Sequence, residues 1–155
     1  MKKLVFVYIG LIIAVALLAI MRSGGNISIP FGKSAEAQIG DKKINLILAK
    51  SDKDRIRGLS GRKNLEADRG MLFVFEKKDQ YSFWMKEVNF PLDIIFIDAN
   101  TVVDLFENVP PANNPANLTI YKPSQPANFV LELNAGQAKK YGIKKGTTIK
   151  FTNVK

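Results

Sequence analysis

Two acidic residues set inside otherwise apolar runs are the first places in this chain where chemistry could be done. They are Asp93 in Asp93-Ile94-Ile95-Phe96-Ile97-Asp98 and Glu132 in Phe129-Val130-Leu131-Glu132-Leu133. Side chains alternate across a strand, so Asp93 shares a face with Ile95 and Ile97, while Glu132 falls opposite Phe129, Leu131 and Leu133. A carboxylate entering a sheet interior has to be paired or protonated, because uncompensated desolvation costs several kcal/mol. Arg57 and Lys86 are the natural counter-charges. Three readings follow from the same residues. Asp93 or Glu132 with Arg57 or Lys86 forms ion pairs that fasten helix and loops to the sheet. Alternatively, these charges converge in a cleft walled by Trp84 and Met85. Or Asp93 and Glu132 act as a general acid and base on a glycan, which needs two carboxyls about 5 to 9 Å apart.

What else the chain could do is limited by what it lacks. There is no Cys and no His, which removes thiolate nucleophiles, disulfides, Cys/His zinc sites and every triad built on imidazole. No cofactor and no metal is expected. The net charge of +9 arises from 23 basic and 14 acidic residues; setting aside Lys2, Lys3 and Arg22 leaves 20 basic residues and a net +6 on the remainder. The lysine pairs at 42–43, 77–78, 139–140 and 144–145 fall at expected turns or helix ends, where ammonium groups stay hydrated and keep strand edges from pairing. Nucleic acid is not an expected partner, since basic residues do not interleave with aromatics along one surface.

The elements that would position these residues are short. Ile39 to Ala49 reads as a strand or strand pair. Ser51 with Asp54 three residues on imitates a capping box and opens a brief helix, Ile56 and Leu59 forming its apolar face before Gly58 and Gly61 weaken it. Strands are predicted over Met71 to Phe75, Tyr81 to Met85, Asp93 to Asp98, Thr101 to Phe106, Phe129 to Leu133 and Thr147 to Phe151. Ala99-Asn100 is short enough for a tight hairpin, with Asn100 taking the left-handed conformation. Residues 109–127, rich in proline and asparagine, form a long ordered loop, and Ala135 to Tyr141 one or two helical turns ending at Gly142. The fold class predicted is α+β: a small, curled, mostly antiparallel or mixed sheet, barrel-like, with two short helices.

Ahead of this domain, Leu4 to Met21 holds 18 uncharged residues between Lys2-Lys3 and Arg22. As a helix it would reach about 27 Å, close to a hydrocarbon core, and the positions after it make a poor cleavage site. Residues 1–22 are thus expected to be a transmembrane or signal segment, 23–38 a tether, and 39–155 the domain. The basic residues before the span place the domain on the outer face of the membrane, or free outside it after cleavage.

The blocks Phe83-Trp84-Met85-Lys86 and Phe90-Pro91-Leu92-Asp93-Ile94-Ile95-Phe96-Ile97-Asp98 are the most distinctive in the chain. With Arg57-Gly58-Leu59, Gly70-Met71-Leu72-Phe73, Leu131-Glu132, Ala135-Gly136 and Gly142-Ile143, they resemble the family called domain of unknown function 192, in order from about Ile44 to Phe151. The resemblance implies a compact β-rich fold, frequent export and no established activity. Members often carry cysteines in the loop before the tyrosine and proline; here residues 109–117 have none, so a redox or metal role for that loop is not expected.

The combined expectation is a non-catalytic binding or interaction module at the cell envelope, using Arg57, Trp84, Met85, Lys86, Asp93 and Glu132, its partner an envelope polymer or protein. A small glycan-directed hydrolase using Asp93 and Glu132 is the alternative.

Overall fold

The computed structural model describes residues 34–114 and 116–154. The expected membrane segment and most of the tether lie outside these residues; among the described residues no helix is long and apolar enough to cross a membrane.

Seven strands build one mixed sheet: β1 (Glu36–Ile39), β2 (Lys42–Ala49), β3 (Arg69–Asp79), β4 (Leu92–Asp98), β5 (Thr101–Val109), β6 (Ala127–Asn134) and β7 (Lys150–Thr152). Their spatial order is β5-β4-β6-β3-β2-β1-β7. The β2–β3 pair is parallel, and the five other pairings are antiparallel. A parallel neighbour cannot be reached by a tight hairpin. The crossover from β2 to β3 therefore carries helix α1 (Asp52–Arg57) and the turns after it, and this is the segment that ends up beside Glu132. Helix α2 (Gln137–Lys140) follows β6.

The sheet curls into a half-barrel, and its outer strands meet at one end. Thr101 at the start of β5 bridges Thr148 ahead of β7, and the Val102 N–H donates to the Thr147 carbonyl at 2.9 Å. Edge groups that would otherwise be left open are thereby paired. One face carries Ile39, Ile44, Leu72, Ile95, Ile97, Val102, Leu131, Leu133 and Ile149, drawn from both ends of the sheet order. The other carries Met71, Phe73, Ile94, Phe96 and Val130, covered by Leu59, Leu65, Met85 and Val88 from the connecting segments. Strand β4 is buried on both sides, which explains its apolar run Ile94–Ile97.

Several local expectations are corrected. Strand β1 takes in residues 36–38, assigned above to the tether. Residues 81–85 do not form a strand; only Phe83 makes a β-type pairing, an isolated bridge with Tyr121 that ties down the proline-rich loop. Residue 99, not Asn100, takes the left-handed conformation in the β4–β5 hairpin, with Ala99 at φ 53° and its N–H held by Asn128 Oδ1 at 2.8 Å. The last strand is shorter than expected, starting at Lys150. Helix α1 is a six-residue helix capped as expected, the Ser51 hydroxyl oxygen accepting the Asp54 N–H at 3.1 Å. It ends at Gly58, so Leu59 lies beyond it in the core while Ile56 stands 79% exposed; the two do not share a buried face.

Candidate functional site

Asp93 and Glu132 are both buried, 0% and 5% exposed, and their surroundings differ completely. Asp93 is registered with Leu133, and Glu132 with Ile94 on one side and Met71 on the other. Alternation along the strands then puts Asp93 on the Ile95 and Leu133 face and Glu132 on the opposite, Met71 and Ile94 face.

Asp93 is satisfied entirely by backbone. Its Oδ1 accepts the Asn108 N–H at 2.8 Å, and its Oδ2 accepts the Ala138 N–H at 2.8 Å. Asn108 sits at a shift in the β4–β5 register, at φ 53°, where its amide is freed from the ladder. Ala138 lies in the first turn of α2, whose own N-cap, Gly136, has no side chain to offer. The Asp93 carboxylate thus supplies from a neighbouring strand the cap that α2 lacks.

Glu132 has no such partner. Its Oε2 is buried with no hydrogen bond among the described residues, and burial pushes its carboxyl up to about 8 from 4.5. It forms part of the lining of an apolar cleft of about 270 Å³ between α1, the turn after it, strand β3 and the segment 81–84. Phe73, Phe75, Tyr81, Phe83 and Trp84 are the aromatic lining. Phe73 and Phe83 meet edge to face at 4.9 Å, and Phe75 and Tyr81 stack at 3.6 Å. Trp84, 44% exposed, and Ile56 also line it. Gly58 closes α1 with its φ at 49° and leaves room for the Phe73 ring, whose tip a Cβ there would approach to 3.3 Å.

Three further charged side chains line the cleft. Arg55 is committed: it donates to the carbonyls of Lys50 and Val74, pairs with Asp52, and lies over the Phe75 ring at 5.3 Å. Arg57 also lines the cleft and forms no ion pair among the described residues.

Of the six residues picked from sequence, the structure brings Arg57, Trp84 and Glu132 to one cleft. Met85 is buried in the core beside it. Lys86 is exposed, and its contribution is a main-chain carbonyl that accepts the Ser60 hydroxyl at 2.9 Å, anchoring the turn after α1. Asp93 lies on the other face. The expected pairing of Asp93 or Glu132 with Arg57 or Lys86 does not occur, because the buried acids are met by amides in one case and by empty apolar space in the other. The two-carboxyl hydrolytic arrangement fails for the same reason, since acids on opposite faces cannot flank one bond. Sequence reasoning missed Asp52, Arg55 and the aromatics at 73, 75, 81 and 83 as lining, although that aromatic alternation was in plain view.

A third buried acid, Asp104, also escaped it. Asp104 Oδ1 meets Lys145 Nζ at 2.8 Å, and Oδ2 accepts the Ser124 N–H and hydroxyl at 2.8 and 2.7 Å. Burial pushes this carboxyl up, but Lys145, Ser124 and the Leu105 amide outweigh it and bring it down to about 2. No group of three or more acidic side chains placed to hold a metal occurs among the described residues.

A curled mixed sheet with an aromatic cleft lined in part by a buried, unpartnered carboxyl defines the class: a small β-rich domain with a mainly apolar cleft on one face of its sheet. The chain belongs to the DUF192 family, described as Uncharacterized ACR, whose model matches residues 35–151. It is similar to a solved protein of unknown function from Novosphingobium aromaticivorans DSM 12444, at 28% identity and TM-score 0.66, over 76% of this chain and 83% of that one. It is also similar to a putative transcription regulator from Sinorhizobium meliloti 1021, at 30% identity and TM-score 0.68, over 82% of this chain and 98% of that one. No curated protein matches the chain.

Proposed function

We propose that this domain is a non-catalytic binding module whose cleft receives a compact apolar ligand bearing one polar group, oriented by Glu132. One observation carries the proposal: a buried carboxyl oxygen without a partner, at an aromatic-lined cavity. A group of that kind costs stability in the free protein. Asp93 and Asp104 show that this sheet satisfies its other buried acids fully. An apolar pocket with few polar groups is the usual form of a small-molecule site, about 300 Å³ and upward, and this cavity, at about 270 Å³, falls just below that range and suits only a small ligand. The Leu4 to Met21 segment supports a placement of the module at the outer face of a membrane.

Trp84 is the one tryptophan of the chain and lines the cleft, so its fluorescence reads occupancy directly. Titration of 2-phenylethanol is expected to shift Trp84 emission and raise the Tm. Glu132→Met is expected to fold, to be as stable as the parent or more so, and to bind the alcohol more weakly. If Glu132→Met unfolds the domain, or if 2-phenylethanol and its charged analogues of similar shape all leave both emission and Tm unchanged, the binding reading fails.

A further inference from the structure

The chemistry at the cleft goes further than an apolar ligand with some polar group. An aromatic lining presents the negative faces and positive edges of its rings, and the ring faces attract a cation, more strongly where it is desolvated. Five aromatic side chains line this cavity together with one acid that has no counter-charge. We propose, resting on the binding reading above, that the ligand is an organic ammonium, its nitrogen set against the Glu132 carboxylate and its apolar body among Phe73, Phe75, Tyr81 and Phe83.

The groups facing Glu132 from each packed element decide whether a cation is tolerated. From α1 come Asp52, Arg55 and Arg57; from segment 81–84, the Tyr81 phenol; from β3, Phe73 and Phe75. Strand β4 presents Ile94, and Asp93 is turned to the other face. The Arg55 charge is matched by Asp52 and held against Phe75 and two carbonyls, so it is not available to Glu132. Arg57 is exposed at the end of α1, where solvent screens it. The buried positive charge that Glu132 lacks can therefore come from the ligand.

Protonated Glu132 must lose its proton to solvent as the ammonium enters, so binding and deprotonation are linked. Burial holds this carboxyl at about 8 in the free protein. Below that pH the ammonium's affinity should rise about tenfold per pH unit, levelling above it. A neutral ligand of the same shape should show no such slope.

The test uses the chain as it stands, with 2-phenylethylammonium, 2-phenylethanol and 3-phenylpropionate titrated from pH 6 to 9 by Trp84 fluorescence and calorimetry. The expected result is tightest binding of the ammonium above pH 8, release of about one proton per ligand at pH 7, and loss of both preference and slope in Glu132→Gln while the alcohol still binds. Equal or pH-independent affinity for ammonium and alcohol overturns the ammonium assignment and leaves the binding reading standing. Preference for the carboxylate does the same and transfers recognition to Arg57. Failure of all three probes overturns both.

Discussion

Asp93 and Glu132 are diagonal neighbours on adjacent strands and face opposite sides of the sheet, because Asp93 is registered with Leu133 and Glu132 with Ile94. One is held by two amides at 2.8 Å; the other has an oxygen held by nothing. Two acids that look equivalent in the sequence thus divide between a fold-fastening role and a cleft. Each division has a measurable consequence.

Asp93 ties β4 to the β5 bulge and to the first turn of α2, so its removal should cost stability whatever the ligand does. Asp93→Ala leaves the buried Ala138 N–H and the part-buried Asn108 N–H without an acceptor and is expected to destabilise by about 2 to 4 kcal/mol. Asp93→Asn keeps one acceptor but points an NH₂ at the second amide, so it should also be clearly destabilised. Urea unfolding measures both, and a change within about 0.5 kcal/mol, the usual range for surface sites, would contradict the capping role.

Glu132 gives the opposite signature. Its folded-state carboxyl lies at about 8, above the ordinary 4.5, so the native state holds a proton that the unfolded state gives up between those values. Stability should be fully present below about pH 4.5 and decline as pH rises through about 8, by at most about 1.4 kcal/mol per pH unit. Glu132→Gln should flatten this decline. Unfolding midpoints across pH 5 to 9 check it, and parallel profiles for parent and variant would show that the carboxyl is ionised or satisfied.

The burial of both acids followed from their apolar neighbours, since alternation alone placed them in the sheet. What met them there did not follow. The amides around Asp93 come from a bulge at Asn108 and a four-residue helix, and neither has a sequence signal stronger than its own tertiary setting. The aromatic cleft depends on the parallel β2–β3 crossover bringing α1 alongside Phe73 and Phe75, a pairing between elements some twenty residues apart. Strand β4 and the α1 cap were legible because their signals are local, whereas residues 81–85 carry strand-like composition but pair with another segment only at the Phe83–Tyr121 bridge.

The long loop over residues 110–126 is pinned by Asp104, which joins it through Ser124 and also holds Lys145 from the turn ahead of β7. With its carboxyl at about 2 against an ordinary 3.8, Asp104 contributes stability that is present above about pH 3.8 and lost as pH falls through about 2. Asp104→Asn should therefore lower the Tm at neutral pH and make the acid limb of the stability profile shallower. Lys145→Met should remove only part of the effect, because the Ser124 contacts remain. Thermal melts from pH 2 to 7 decide it, and an unchanged acid limb in Asp104→Asn would mean the contact is solvent-screened.

Gly70, at the second position of β3, faces Leu131 and Leu133 of β6, the strand that carries Glu132. A Cβ built there would lie 2.7 Å from Leu133 Cδ2, 3.0 Å from Leu131 Cδ1 and 3.1 Å from the Glu132 carbonyl oxygen. The leucine tips could turn aside, but both belong to a filled core and the carbonyl belongs to the backbone of β6, so the strand itself has to move. Overpacking of this kind costs about 1 to 3 kcal/mol. Gly70→Ala should destabilise by that amount and, by displacing β6 at Glu132, weaken 2-phenylethanol binding more than the lost stability alone accounts for. Denaturant unfolding and Trp84 titration measured on the same sample separate the two effects. Parent-like stability with parent-like binding would mean that β6 is not held against Gly70 as tightly as these distances require.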